Sequence, residues 1–134
     1  MTTNPFFPQL GEIAALKATI LKQPEALHAA RLALADKKRA LKAASDALKD
    51  AEMEIACLVN ADKTFTNAEA RKAEIAKRSA ANPEIKRLAA TVDACDVEVT
   101  NTQIDVQKIE DEVKTWRTHA DITCAEIQLL CIGR

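Results

Sequence analysis

The chain has 134 residues and a mass of 14.6 kDa, which is one domain's worth of protein and too little for a two-domain enzyme. Apolar residues make up 48% and charged residues 29%, with a formal net charge of −1. That balance excludes a compositionally disordered chain and gives no bulk attraction to nucleic acid or lipid. Only 2 glycines stand against 26 alanines, so phosphate-cradling loops, nucleophile elbows and hairpin-rich β folds lack the left-handed backbone positions they need.

Residues 1–8 read as an N-terminal tail. The start, Met1-Thr2-Thr3-Asn4-Pro5, has neither the basic nor the apolar region of a signal peptide, and no apolar run is long enough to span a bilayer. The expectation is a cytoplasmic protein with reduced thiols and no membrane partner. Phe6 and Phe7, framed by Pro5 and Pro8, either dock into a partner's groove or fold back onto Trp116. The second reading is preferred, because a chain with four aromatic residues rarely leaves two of them idle.

A first long helix is expected over residues 9–59. Ile13, Ile20, Leu27, Leu34, Leu41, Leu48 and Ile55 recur every seven residues, and Leu16, Gln23, Ala30, Lys37, Ala44, Ala51 and Leu58 follow three later. A column of Ala26, Ala33, Ala40 and Ala47 flanks them. This is a heptad stripe bordered by small residues that admit a close partner helix. Its phase runs straight through Pro24, which is therefore read as a kink inside one helix or a restart in line. The stripe ends in the turn-forming stretch Val59 to Phe65.

Thr66 or Asn67 can cap a short helix over 67–81, with Glu69 placed for a capping box if Thr66 is the cap. Ile75 is its only large apolar residue. Asn82-Pro83-Glu84 is a second restart, and here the phase does not carry through, so Pro83 is a truer break than Pro24.

The last long helix, 83–131, has the clearest periodicity. Ile85, Leu88, Val92, Cys95, Val99, Thr102, Val106, Ile109, Val113, Trp116, Ala120, Thr123, Ile127 and Leu130 alternate spacings of three and four. Residues 97–106 also alternate in a strand-like way and are β-branched, but the longer helical phase outweighs them. The fold expected is all-α: an elongated antiparallel helical hairpin or coiled coil with kinks at Pro24 and Pro83, forming a bundle on dimerisation. With the turn centred on Lys63, Leu41 meets Ile85, Leu34 meets Val92 and Leu27 meets Val99. Leu34→Asp or Leu41→Asp is then severely destabilising.

Charge is segregated. Arg31–Lys49 carries six cations and two acids, whereas Leu88–Val113 carries seven acids and one lysine. In the expected register Lys37, Lys38, Arg39 and Lys42 lie beside Lys86 and Arg87, a basic belt that is a candidate partner-binding surface. It contacts either phosphates or the acidic flank Asp96, Glu98, Asp105 and Glu112 of a neighbouring helix. The second is preferred, since no aromatic residues interleave to stack on bases. No nucleophile–base pair or metal cluster can be assembled, so neither catalysis, a metal nor a cofactor is expected. His28 and His119 read as solvated, Cys95 as a core residue, and Cys124 and Cys131 as thiols on one helix face.

Lys63-Thr64-Phe65-Thr66-Asn67-Ala68-Glu69-Ala70-Arg71-Lys72-Ala73, with Asn82-Pro83-Glu84 and the heptad-rich helix after it, resembles small coiled-coil proteins of tailed bacteriophages over about residues 63–117. That family often has Asp before the proline and Tyr after the glutamate, where this chain has Asn82 and Ile85. The resemblance implies a phage or prophage accessory protein serving recombination or blocking a host defence, and carries over no functional residue. The function expected is non-catalytic: a coiled coil that forms homodimers and binds a protein partner. The alternative is a nucleic-acid-binding accessory that uses the basic belt. Residues Leu32, Met53, Ile104, Ile122 and Leu129 lie off the main stripes and need a second surface. The expected homodimer places the β-branched residues from Val92 to Val113 at its centre.

Overall fold

A computed structural model describes the backbone of residues 7–132 and the side chains of residues 11 and 13–132. The protein is all-α: α1 spans Phe7–Ala61, α2 spans Ala68–Ala81 and α3 spans Pro83–Ile132. The first helix begins within the expected tail, at Phe7. Phe6 and the side chain of Phe7 lie outside the described residues, as does their proposed packing on Trp116. No described helix is long and apolar enough to cross a membrane.

α1 passes through Pro24 as one helix, so the unbroken stripe phase was the correct guide there. Pro83 instead opens α3, where its missing N–H removes a donor that would have no helical partner. The residue before a proline is driven out of the helical region, and Asn82 accordingly sits at φ −80°, ψ 116° and ends α2. Its side-chain oxygen accepts the Glu84 N–H at 2.9 Å, so Asn82 closes one helix and caps the next.

The cap of α2 is Asn67, not Thr66. Its Oδ1 accepts the Ala70 N–H at 2.6 Å, which leaves Glu69 in the first turn without the spacing for a capping box. Asn67→Ala is expected to lower stability by about 1 kcal/mol, read from the urea midpoint. Asn67→Asp should retain most of that contribution, because a carboxylate accepts the same N–H and suits the helix dipole.

The strand-like segment 97–106 is helical. Five threonine hydroxyls on α1 and α3 help to show how such residues are accommodated. Those of Thr19, Thr91, Thr100, Thr115 and Thr118 each donate to the carbonyl four residues earlier, at 2.9–3.0 Å. Their polar atoms are satisfied locally and their methyls are left for packing.

The chain divides into two compact units, residues 35–101 and residues 1–34 with 102–134. In the 35–101 unit α1 and α3 run antiparallel, with Ile55 and Val59 clustered on Ile85 and Lys37 bonded to Glu98. Leu48, Ala51, Phe65 and Ile75 pack around that cluster, so the short helix and the turn both contribute to the core. Arg78 stands 5.9 Å from the centre of the Phe65 ring, and the Nε–H of Arg71 donates to the Phe65 carbonyl at 3.0 Å. These two cations hold the 62–67 turn against α2.

In the other unit α1 and α3 are again antiparallel. Leu27 and Pro24 share a cleft with Val113 and Arg117, and Arg31 pairs with Glu110 at 3.2 Å. Leu16 and Val106 are buried there, as is Thr123.

The expected register is therefore displaced. Ile85 packs with Ile55 rather than Leu41, and Leu27 lies by Val113 rather than Val99. Both shifts are fourteen residues, or two heptads, so the same columns still face one another. The reason is the position of the reversal: the turn at Lys63 leads into α2, and α3 starts only at Pro83.

Candidate interaction surface

The shifted register takes the basic belt apart. Lys37 lies by Glu98, whereas Ile85, next to Lys86 and Arg87, packs on Ile55. Lys42 and Ile55 are thirteen residues apart on α1, about 20 Å at about 1.5 Å per residue. The structure thus does not bring the two halves of the belt together.

Several of its charges are also engaged. Lys37 Nζ donates to Glu98 at 2.9 Å, Arg39 pairs with Asp36 at 3.1 Å, and Arg87 Nε donates to Glu84 at 3.1 Å. Lys38, Lys42 and Lys86 are exposed and form no ion pair with a described residue. Of the acidic partners expected for the belt, Glu98 is used, and it is used within the same chain.

These contacts set the titration behaviour. The Thr64 backbone N–H, donating to the Asp62 carboxylate at 3.0 Å, holds that carboxyl below the usual range. The Arg87 guanidinium does the same to Glu84, and Glu98 holds Lys37 above the usual lysine value, by hydrogen bond first and charge second. Depressed carboxyls stabilise the fold above their unfolded pKa and lose that contribution as pH falls through the folded value. The raised Lys37 stabilises below its unfolded pKa, and that contribution disappears as pH rises through the folded value. Melting temperature should therefore decline at both ends of the pH range. Asp62→Asn, which keeps the acceptor for Thr64, should make the acid-side decline shallower in melts taken at stepped pH.

Among the charged and polar residues of the surface, apolar side chains are also left uncovered. Large hydrophobic side chains stand exposed at Leu21, Leu32, Met53 and Leu58 on α1, and at Val97, Ile104, Ile122, Leu129, Leu130 and Ile132 on α3. The off-stripe residues Leu32, Met53, Ile104, Ile122 and Leu129 are among them. Leu58 and Leu130 belong to the expected stripes yet remain outside. Leu21, Val97 and Ile132 escaped the sequence reading, although Val97 and Ile104 are seven residues apart and Ile132 continues the spacing from Ile122 and Leu129.

The β-branched stripe assigned to a dimer core is instead consumed within the chain. Val99 and Val106 are buried, and Val92, Ile109 and Val113 are half-buried. A second copy would have to meet a different face.

His28 and His119 are both exposed, and the His119 and Trp116 rings stand nearly perpendicular with their centroids 5.8 Å apart. Cys95 is half-buried, while the free thiols of Cys57, Cys124 and Cys131 are exposed. No group of three His, Cys, Asp or Glu among the described residues is arranged to hold a metal ion. Among the described residues, Arg31–Glu110 and Lys37–Glu98 are ion pairs that join α1 to α3. Comparison with protein-family models, curated proteins and solved structures finds no match to this chain.

Proposed function

We propose that this protein is non-catalytic and works by binding, associating with itself and with a protein partner through apolar side chains outside its intrachain seam. The observation that carries the reading is the set of ten large hydrophobic residues exposed among the described ones, most of them off the heptad stripes that pack within the chain. Exposed apolar side chains at helical spacing are the usual material of helix–helix recognition. The resemblance over residues 63–117 supports reading it as a phage accessory protein in the cytoplasm of a bacterial host, where a small helical binder can act as an inhibitor of a host defence.

The nucleic-acid reading loses its main support once Lys37–Lys42 and Lys86–Arg87 lie well apart. A mobility-shift titration at low and high salt separates the two. Little or no shift is expected, whereas tight binding that collapses with salt would favour phosphate contacts and overturn the protein-binding reading. Co-purification from a bacterial host should recover a protein with the wild type and not with Leu32→Glu combined with Met53→Glu. Both positions are exposed, so the double variant should still fold.

A further inference from the structure

The C-terminal third of α3 has two apolar faces. One carries Trp116, Ala120, Thr123 and Ile127, which are buried or half-buried. The other carries Thr115, Thr118, Ile122, Ala125, Leu129 and Ile132, spaced three and four apart throughout and all exposed. At 3.6 residues per turn the two sets lie on opposite sides of the helix. Ile122 is 53% exposed and Leu129 70%. Thr115, Thr118 and Ile122 border a shallow groove with Lys114 and His119.

Both threonines in this outer stripe have their hydroxyls bound to backbone. Thr115 donates to the Asp111 carbonyl at 2.9 Å and Thr118 to the Lys114 carbonyl at 3.0 Å. They can enter an apolar contact without stranding a hydrogen-bond donor. The stripe is therefore six consecutive positions of seam with no partner in its own chain.

Side-chain size identifies the occupant. If the same stripe of a second copy lies against it antiparallel, Thr115 faces Ile132, Thr118 faces Leu129 and Ile122 faces Ala125, and each layer occurs twice by symmetry. Every layer then joins a large side chain to a small one, the arrangement that fills space evenly. A parallel pairing would set like on like, with gaps at the Thr and Ala layers and crowding at the Ile and Leu layers.

Charge agrees with size. On the flanks of the stripe an antiparallel pair places His119 beside Glu126, and Asp121 beside Gln128, of the other copy. A parallel pair would instead place Asp121 against Glu126, which is repulsive. The edge contact with Trp116 fixes the His119 ring at this flank.

We propose that the outer face of α3, residues 115–132, is a homodimer interface in which two copies pair antiparallel. This rests on the self-association part of the binding function and names the surface and the orientation. It replaces the Val92–Val113 face, which α3 uses inside its own chain.

The test is sedimentation equilibrium of the full chain at micromolar concentration. Wild type is expected at twice 14.6 kDa, and Ile122→Asp or Leu129→Asp at 14.6 kDa with an unchanged helical circular dichroism signal. Two variants are used because both positions are exposed and either reports on the interface alone. His119→Glu should weaken the dimer, because it sets two carboxylates side by side at each 119–126 pair, and combining it with Glu126→Lys should restore the dimer through an ion pair. A monomeric wild type overturns both this interface and self-association. A dimer indifferent to both aspartate variants overturns the interface and leaves self-association standing. A dimer tightened by Glu126→Lys alone overturns the antiparallel orientation, because only the parallel pairing sets that position against Asp121.

Discussion

Val59→Asp is expected to lower stability by about 4 kcal/mol or more, the largest effect of any single substitution considered. Val59 is 0% exposed and packs among Ile55 and Ile85, with Leu48, Ala51, Phe65 and Ile75 around them. A carboxylate there has no cation in the cluster to pair with and no route to water. Val59→Ala, which removes two methyl-sized groups at about 0.8 kcal/mol each plus a cavity contribution, should lower stability by about 2 kcal/mol. Leu58→Asp, one residue away and exposed, should shift it by less than about 0.5 kcal/mol. Urea titration followed by circular dichroism gives all three values. Equal midpoints for Val59→Asp and Leu58→Asp would mean that α2 and the turn do not seal the α1–α3 seam.

Val106→Asp and Ile104→Asp should differ by about 3 kcal/mol, although the two β-branched residues are only two positions apart on one helix. Val106 is 7% exposed and lies on the inner stripe, whereas Ile104 is 50% exposed on another side. Val106→Asp places an unpaired charge against α1, and amide exchange in residues 102–132 should accelerate with it. Ile104→Asp should leave that exchange unchanged. If Ile104→Asp proves as damaging, the inner stripe has been placed on the wrong face of α3.

Leu34→Asp and Leu41→Asp are expected to be milder than either buried substitution. Both residues are half-buried, since a seam between two helices leaves the flanks of most side chains in water. A charge placed there can turn outward. The expectation of severe destabilisation at these positions assumed full burial, which the structure reserves for positions such as Val59, Ile85, Val99 and Val106.

The sequence by itself determined the helices and the face each turns inward. Thirteen of the fourteen positions from Ile85 to Leu130 are buried or half-buried, Leu130 being the exception. The seven-residue column Ile13 to Ile55 is covered at every position. Periodicity has this power because a helix can bury only what recurs on one side. It also specified Pro83 as the break, where the residue pair Asn82-Pro83 disfavours a continuous helix whatever surrounds it.

Register was decided by tertiary structure alone. A heptad pattern looks the same after a shift of seven or fourteen residues, so the stripes could not distinguish Leu41 from Ile55 as the neighbour of Ile85. Docking of Phe65 and Ile75 onto the Ile55–Val59–Ile85 cluster breaks that degeneracy, and with it goes the convergence of Lys37–Lys42 with Lys86 and Arg87. Near the end of α3 the phase of the Ile85–Leu130 stripe already selected Trp116, Ala120, Thr123 and Ile127 as the inner face, whereas the exposure of Thr115–Ile132 as a second continuous stripe emerges only from the structure.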